Sequence, residues 1–262
     1  MISEYKLEGK VALITGAARG IGKGIAEVLA EAGADIALNA LTPQYLMDVA
    51  EQLAVRTGRR IIPYIADVTR SEQVEDLFAR VMKDFGQLDI LVNNLGDHIH
   101  KPLVPIPGQP GESVTDEEIK KVFDINLISA ILCTRVVGPH FLQRCSGKII
   151  TISSFAALRA RPDQTLYAAA KSALWGFTRS LALEWASYGI QVNAISPGFF
   201  PDLVTMGEEG YRNALQKWRT WVPMGREGRL REVGLLALYL ASKASDYMTG
   251  QMLFLDGGFT VG

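Results

Sequence analysis

Residues 11–22 read Val-Ala-Leu-Ile-Thr-Gly-Ala-Ala-Arg-Gly-Ile-Gly, an apolar run that passes directly into a turn with three glycines. The run predicts a buried strand, and the residues after it predict an amphipathic helix. Gly16 permits a tight turn, Gly20 lets the backbone approach a pyrophosphate, and Gly22 lets the helix pack on the strand. The helix N-terminus offers N–H groups and a partial positive charge to phosphates. This turn therefore predicts a dinucleotide site.

The same alternation of strand and helix continues along the 262-residue chain, without a linker or an internal repeat. The strands show little polar alternation, as expected when both faces of a sheet are covered. We therefore predict an α/β fold: a single domain over 1–262 with one doubly wound (Rossmann) parallel seven-stranded sheet and helices on both faces. The predicted strands are Val11–Thr15, Asp35–Asn39, Ile61–Ala66, Leu88–Asn93, Lys148–Ser153, Gln191–Ser196 and Met252–Leu255, and the predicted helices are Gly22–Ala32, Gln44–Thr57, Glu72–Phe85, Asp116–Cys145, Leu166–Tyr188 and Glu232–Leu240.

Composition excludes several classes of function. The formal net charge is -1 and no run of basic residues occurs, so nucleic-acid binding is not expected. No stretch approaches eighteen continuous apolar residues, so we expect no membrane span. The polar residues 1–10 resemble neither a signal nor a transit peptide, and a cytoplasmic setting is the expectation. Three histidines and two cysteines lack metal-ligand spacing, so no metal site is predicted.

Two irregular stretches follow predicted strands. The first, residues 97–114, contains Pro102, Pro105, Pro107 and Pro110, a density that neither a helix nor a central strand tolerates. The second runs from 197 to about 211. Ligands of open α/β sheets bind beyond the carboxyl ends of strands. We therefore predict an inserted loop at about 97–114 and a substrate lid at about 199–222, both bordering the site.

Tyr167 and Lys171 lie four residues apart in a predicted helix, and Ser154 ends the preceding strand. Residues at this spacing share a helix face, so the lysine ammonium can lie beside the phenol. A nearby cation favours the phenolate and lowers its pKa, so the tyrosine could exchange a proton with an alcohol or carbonyl oxygen. Ser154 could hydrogen-bond the same oxygen. Taken alone, the pair could equally be a surface contact.

The cofactor type is suggested by the end of the second strand, which reads Leu-Asn-Ala-Leu at residues 38–41. An acid at this place often binds the ribose hydroxyls and would repel a 2′-phosphate. That acid is missing here, and Arg19 in the glycine turn could attract the phosphate. The chain is therefore predicted to bind NADP or NAD, with a weak preference for NADP. Asp67, after the third strand, could accept a hydrogen bond from adenine or merely cap a turn.

Several short motifs occur together in one order along the chain. They comprise Thr15–Gly22, Asp67-Val68, Asn93–Gly96, Asn126, Ser154, Tyr167, Lys171, Pro197-Gly198 and Asp256–Gly258. Each motif is modest, but their order and spacing are specific, and the chain resembles the short-chain dehydrogenase/reductase family over essentially its whole length. The resemblance implies hydride transfer between NAD(P) and a secondary alcohol or ketone, and relatives of this kind are usually tetramers.

The resemblance implies four catalytic residues. Tyr167 would be the general acid/base, Lys171 would lower its pKa and bind the nicotinamide ribose, and Ser154 would position the substrate oxygen. Asn126 would hold a water in a proton relay. The residues expected to bind the cofactor are Gly16, Arg19, Gly20, Ile21, Gly22, Asp67, Val68, Asn93, Gly96, Tyr167, Lys171, Pro197 and Gly198.

The chain departs from the family pattern in three places. Leu95 replaces the usual alanine between Asn94 and Gly96. Asp202 stands near the place of a threonine that usually contacts the carboxamide. The loop at 97–114 is longer than is common.

The substrate prediction depends on side chains near these motifs. His98, Arg159 and Phe199 are the candidates that we select, and convergence of histidine with arginine would favour an anionic substrate such as a sugar acid. The stretch 217–246 resembles both the gluconate 5-dehydrogenase type and the 3-oxoacyl-carrier-protein reductase type. A 3-oxoacyl thioester reductase is therefore the alternative, and a non-catalytic cofactor-binding regulatory protein is a third hypothesis. The predicted partners are a small-molecule substrate and further copies of the chain in a homotetramer.

Overall fold

The sheet is the centre of the molecule. The computed structural model describes residues 2–108 and 111–261. Its strands are β1 (Val11–Ile14), β2 (Asp35–Ala40), β3 (Ile61–Ile65), β4 (Ile90–Asn93), β5 (Gly147–Ile152), β6 (Ile190–Pro197) and β7 (Met252–Leu255). They pair in parallel in the order β3-β2-β1-β4-β5-β6-β7. The predicted seven-stranded doubly wound sheet is confirmed.

Helices cover both faces of this sheet. They are α1 (Gly20–Glu31), α2 (Leu46–Thr57), α3 (Ser71–Phe85), α4 (Asp116–Phe123), α5 (Ser129–Arg144), α6 (Thr165–Trp185), α7 (Leu203–Arg219) and α8 (Leu230–Ala241). Because side chains alternate along a strand, Ala12 and Ile14 of β1 pack with α1, α2 and α8, whereas Val11 and Leu13 pack on the opposite face with α3, α5 and α6. Two apolar layers therefore hold the strand ends in fixed positions.

The predicted single helix at 116–145 is interrupted. A π-helical turn, Asp124–Ile128, separates α4 from α5, and Cys145 ends α5 in a left-handed conformation with φ 50°. By length and composition alone, Asp116–Arg144 could cross a membrane. However, Cys133, Val137 and Phe141 of α5 are buried against the sheet. Its place in the core accounts for its apolar composition.

The prediction of an irregular stretch from 197 to about 211 is wrong from residue 203 onward. Helix α7 begins at Leu203, and the Asp202 carboxylate caps it by accepting a hydrogen bond from the Val204 N–H at 3.2 Å. Gly207, with φ 66° and ψ 170°, breaks the helix after its first turn. That glycine, with a second one at 210 and two acids between them, conceals the helical pattern in the sequence.

The described part of the predicted loop, residues 97–108 and 111–114, contains neither helix nor strand. Pro110, one of the four prolines behind that prediction, lies outside the described residues. The loop follows β4, and the glycine turn follows β1. These two strands are neighbours from which the chain winds in opposite directions, so the loop and the turn meet at the edge where such sheets bind ligands.

Candidate active site

The turn after β1 forms a close-packed cradle. Gly16 and Gly20 have φ values of 62° and 54°, the left-handed region that favours glycine. At Gly22 a Cβ atom would lie 2.5 Å from the Asn94 amide nitrogen and 2.6 Å from the Gly16 carbonyl oxygen. The backbone therefore approaches its neighbours more closely than any side chain would permit, and it leaves the start of α1 open to an anion.

Asn94 ties this cradle to β4, and the sequence reasoning named it only as part of a motif. Its amide nitrogen donates to the carbonyl oxygens of Thr15 and Gly16, both at 3.0 Å. In return, the Thr15 hydroxyl accepts hydrogen bonds from the backbone N–H groups of Asn94 and Leu95. The two strand ends at the reversal of the sheet are thus locked together. The sequence signal that could have predicted this role is the second asparagine, Asn94, directly after the strand that ends at Asn93.

A cavity of about 410 Å³ lies beside the cradle, beyond the carboxyl ends of β1, β2 and β3. Its walls include Gly16, Ala40, Leu41, Asp67, Val68 and Leu95. Such a mostly apolar cleft suits an adenine ring and its ribose, with the pyrophosphate on the glycine cradle. The site therefore fits a nicotinamide dinucleotide. The side chain of the predicted residue Ile21 packs against the core beneath α1.

Asp67 lines the cavity, but its side chain also closes a turn. One carboxylate oxygen accepts hydrogen bonds from the Thr69 N–H at 2.9 Å and the Thr69 hydroxyl at 2.7 Å. Both functions left open by the sequence are therefore compatible, since a carboxylate has a second oxygen. Asn39, at the end of β2, is buried and donates to the carbonyl oxygens of Ala66 and Tyr64. Ala40 is thus the side chain presented near the ribose position.

Arg19 lies on the other side of the cradle. Its guanidinium is 3.7 Å from the Asp202 carboxylate, which also caps α7. The side chain of Arg19 remains half exposed. The glycine turn is therefore connected by charge to the predicted lid.

Lys171 is buried at the centre of the site. Its ammonium donates to the Ile152 carbonyl oxygen at 3.0 Å, and a Cβ at Gly96 would lie only 2.9 Å from Nζ. Burial lowers the pKa of Lys171 to about 7. Its Nζ is 5.7 Å from the centre of the Tyr167 ring, so the two side chains share a helix face as predicted.

The pKa of Tyr167 departs from the sequence expectation. Burial raises it above the ordinary value for a phenol, a hydrogen bond with Ser154 opposes that shift, and the charge of Asp97 adds to it. The prediction that a neighbouring cation lowers this pKa is therefore wrong for the protein alone. Desolvation dominates because the phenolate would lose water, and the half-charged Lys171 does not offset that loss.

Asn126 lies in the π-helical turn and holds the start of the 97–114 loop. Its amide nitrogen donates to the carbonyl oxygens of Asp97 at 2.6 Å and Val122 at 2.9 Å, and its oxygen accepts from the Asp97 N–H at 3.2 Å. That oxygen also faces Gly96, where a Cβ would lie 3.1 Å away. A π-turn widens the helix locally and often occurs at functional sites. Here it gives the amide room to pair with a loop.

The remaining residues predicted to bind the cofactor lie at the ends of β4 and β6: Asn93, Pro197 and Gly198. The Asn93 amide donates to the Thr134 hydroxyl at 3.0 Å, while its buried oxygen has no partner among the described residues. Pro197 ends β6, and the Gly198 N–H donates to the Leu255 carbonyl at 2.9 Å. A Cβ at Gly198 would lie 2.6 Å from Asp256 Cα. The position of Gly198 is therefore fixed by β7 and the residue that follows it.

Only one of the three predicted substrate residues faces Tyr167 directly. The ring of His98 is 5.7 Å from the ring of Tyr167. Arg159 instead donates to the Phe259 carbonyl oxygen and lies over the Phe259 ring, so it holds the C-terminal segment. Phe199 stacks on Trp218 at 4.8 Å with an angle of 7° between the rings. It therefore contributes to an aromatic wall beside the site.

Comparison with known proteins agrees with this geometry. The family model described as Enoyl-(Acyl carrier protein) reductase matches residues 16–260. The 2-dehydro-3-deoxy-D-gluconate 5-dehydrogenase of Bacillus subtilis is 37% identical, with 97% of this chain and 96% of that protein aligned. The 3-oxoacyl-[acyl-carrier-protein] reductase of Chlamydia muridarum is 35% identical, over 96% of this chain and 98% of that protein.

A solved structure extends the likeness to three dimensions. The short-chain type dehydrogenase/reductase from Mycobacterium marinum superposes with a TM-score of 0.90 at 32% identity, covering 100% of this chain and 99% of that one. The likeness in sequence and in fold extends over essentially the whole chain. The chain belongs to the short-chain dehydrogenase/reductase family and is an NAD(P)-dependent oxidoreductase acting on CH–OH groups.

Proposed function

We propose that Tyr167 is the general acid/base of this oxidoreductase and that Ser154 and Lys171 assist it. A bound nicotinamide cofactor supplies or accepts the hydride. Ser154, whose side chain lowers the pKa of the Tyr167 phenol against the effect of burial, orients the substrate oxygen. Lys171 feeds the proton path, since a pKa of about 7 lets it gain or lose a proton at neutral pH. Asn126 keeps the loop that borders this path in place.

The substrate proposed for this site is a polar, anionic ketone or alcohol such as a sugar acid. This proposal rests on the two histidines that the 97–114 loop places beside Tyr167. His98 adjoins Tyr167, and His100 contacts His98 with ring centres 4.5 Å apart. Imidazoles can hydrogen-bond hydroxyl groups of a polyol. A long acyl chain would gain nothing from them.

The alternative, a 3-oxoacyl thioester reductase, has weaker support. A carrier protein is acidic and would need a basic docking face. Two arginines near the start of α8 could belong to such a face, but both form ion pairs. Arg226 forms a two-pronged ion pair with Glu232, at 2.9 and 2.7 Å, and Arg231 pairs with Glu31 at 2.6 Å. Paired charges attract an acidic partner less.

For the cofactor, we propose a modest preference for NADP. The support is the small apolar Ala40 at the end of β2, which offers no carboxylate against a 2′-phosphate. The competing contact between Arg19 and Asp202 keeps the preference modest. Replacement Ala40→Asp is expected to favour NADH over NADPH by at least about tenfold, because it places a negative charge at this position.

Assembly and location are proposed on the family pattern. We propose a cytoplasmic homotetramer with a small-molecule substrate and without nucleic acid or membrane partners. An exposed free thiol at Cys145 and a buried one at Cys133 suit a reducing compartment.

The test begins with separate fluorescence titrations of NADPH and NADH, followed by a panel of sugar acids, polyols and 3-oxoacyl thioesters with the tighter cofactor. Turnover of sugar acids above the others supports the proposal. Preferred turnover of thioesters establishes the alternative. Tight cofactor binding with no turnover across the panel would favour a non-catalytic regulatory protein.

A further inference from the structure

Arg161 is a guanidinium beside the site without an ion-pair partner among the described residues. Its Cζ lies 5.0 Å from the Trp218 ring centre and 4.4 Å from the Trp221 ring centre. The residue is half-buried. By contrast, its neighbour Arg159 is committed to the C-terminal segment through the Phe259 carbonyl. Arg161 is thus the arginine of this connection that stays available to a ligand.

A second cation lies beside Arg161. Lys217 lies over the same Trp221 ring at 5.2 Å. Burial, with the nearby charges of His98 and Arg161, lowers the pKa of His100. The acids that face this group are Asp163, whose charge opposes that shift, and Asp97, which acts on Tyr167. A half-buried cation in such a place is stabilised most by an anion that arrives with the substrate.

Two routes connect Arg161 to the reacting centre. Trp218 packs on Phe155 with ring centres 5.4 Å apart, in the same cluster as Tyr167. On the other side, the rings of His100 and His98 lead back to Tyr167. Each of these two routes passes through two rings between the guanidinium and the phenol. A substrate that reaches both must carry its charge several bonds from the reacting carbon.

The loop segment 97–101, which carries His98 and His100, is held at both ends. Asn126 fixes Asp97, and the Lys101 N–H donates to the Asp163 carbonyl oxygen at 3.0 Å. The Lys101 ammonium also pairs with Glu118 at 3.0 Å. Residues 97–101 are therefore fixed against Asp163, which lies two residues after Arg161 and just before α6. Preorganised groups of this kind discriminate between substrates because little order is lost on binding.

We propose that Arg161 is a specificity-determining residue that binds a carboxylate on the substrate, several bonds away from the carbon that Tyr167 serves. Cation–π contacts with the two indoles hold the guanidinium, and it has no ion-pair partner among the described residues. Its N–H groups can therefore make a forked contact with two carboxylate oxygens. This inference rests on the proposed function and adds to it the anchor that selects an acid over a neutral ketone.

The experiment compares matched ketones that differ only in charge. Wild-type enzyme with saturating NADPH is assayed on 4-oxopentanoate, 5-oxohexanoate and 5-keto-D-gluconate, and on the methyl esters of the first two. The variants are Arg161→Met, Arg161→Lys and the control Arg159→Met. We expect Arg161→Met to lose about 30- to 300-fold in kcat/KM on acids and less than about threefold on esters, with partial recovery in Arg161→Lys.

The control and the esters separate the possible results. Arg159→Met is expected to change acids and esters by the same factor, because it touches only the C-terminal segment. Equal loss on acids and esters in Arg161→Met, or no preference for acids in the wild type, overturns the anchor and leaves the proposed reaction intact. If the wild-type enzyme reduces none of these ketones with either cofactor, the proposed sugar-acid function fails, and the anchor fails with it.

Discussion

At the scale of single residues, the proton path depends on two buried side chains. In each of them burial shifts the pKa in the direction that favours the uncharged form. Burial raises the pKa of Tyr167 and lowers that of Lys171 to about 7. In the protein alone, the phenol is therefore protonated at neutral pH and ready to act as an acid. Such a state suits reduction of a ketone, in which the substrate oxygen gains a proton.

Replacement Tyr167→Phe tests this assignment directly. It removes the phenolic proton and keeps the ring that packs against the cluster containing Phe155. We expect kcat to fall by about 10²–10⁴-fold, as is usual when a general acid is lost. The dissociation constant of NADPH, measured by fluorescence, should change less than about threefold. Retained turnover with intact cofactor binding would exclude Tyr167 as the acid.

The pKa of Lys171 makes a prediction about stability. The unfolded chain keeps a lysine protonated up to about pH 10.4, whereas the folded protein releases that proton near pH 7. Between these values the unfolded state binds more protons, so stability rises with pH. The free energy of unfolding of the wild type relative to Lys171→Met should increase by about 2 kcal/mol from pH 7 to pH 9. Urea titrations at both pH values measure this difference, and a flat or falling difference would contradict the buried-lysine assignment.

At the scale of elements, the π-turn between α4 and α5 connects the core to the substrate loop. It places the Asn126 amide where it can both donate to and accept from the Asp97 backbone. The resemblance assigns Asn126 to a proton relay, whereas the contacts show a loop anchor. These two roles predict different phenotypes.

We expect Asn126→Ala to release the loop. Hydrogen exchange at residues 97–101 should become faster, and KM for the substrate should rise several-fold. The matched variant Lys101→Met frees the other end of the same segment by removing the pair with Glu118. If both variants speed exchange and raise KM, the anchor is the shared cause. A fall in kcat confined to Asn126→Ala, with unchanged exchange, would instead support the relay alone.

The glycine turn makes a second prediction at this scale. In Gly22→Ala the new methyl group would meet the Asn94 amide at 2.5 Å and the Gly16 carbonyl at 2.6 Å. The cradle must open, so we expect NADPH to bind at least about tenfold more weakly, since one tenfold step needs only about 1.4 kcal/mol of strain. The control Gly210→Ala meets only Met206 Cβ at 3.6 Å and should leave binding unchanged. Isothermal titration calorimetry compares the two, and equal affinities would refute the steric argument.

Sequence patterns predicted the sheet and most helices because buried parallel strands have continuous apolar runs and the first turn has three glycines. They missed α7, whose Gly207 break removes the helical period. They also selected Arg159 as a substrate residue, whereas its side chain contacts the C-terminal segment, because a sequence does not record which distant backbone carbonyl an arginine reaches. The direction of the Tyr167 pKa shift was missed for a related reason. Desolvation depends on packing from several elements, and no local pattern records it.

At the scale of the whole molecule, the sheet brings the two halves of the reaction together at one edge. The glycine cradle follows β1, the loop with His98 follows β4, and Ser154 follows β5, so adjacent strand ends supply cofactor and substrate sides. The apolar layers on both faces fix these ends relative to one another. The same packing leaves several apolar side chains on outer helix surfaces, where a second copy of the chain could cover them.

Tetramer formation is the prediction that belongs to this scale. Leu183 in α6 is 84% exposed, and Val55 in α2 is 82% exposed, so the two differ in position and hardly in exposure. The resemblance to tetrameric relatives implies that α5 and α6 pack against their copies, so we expect Leu183 to lie in an interface. Leu183→Glu would bury a charge in that interface, at a cost of several kcal/mol, whereas Val55→Glu would stay in water. Sedimentation velocity should therefore show tetramers for the wild type and Val55→Glu and smaller species for Leu183→Glu. Tetramers in all three would place the interface elsewhere, and dissociation of Val55→Glu would assign it to the α2 face.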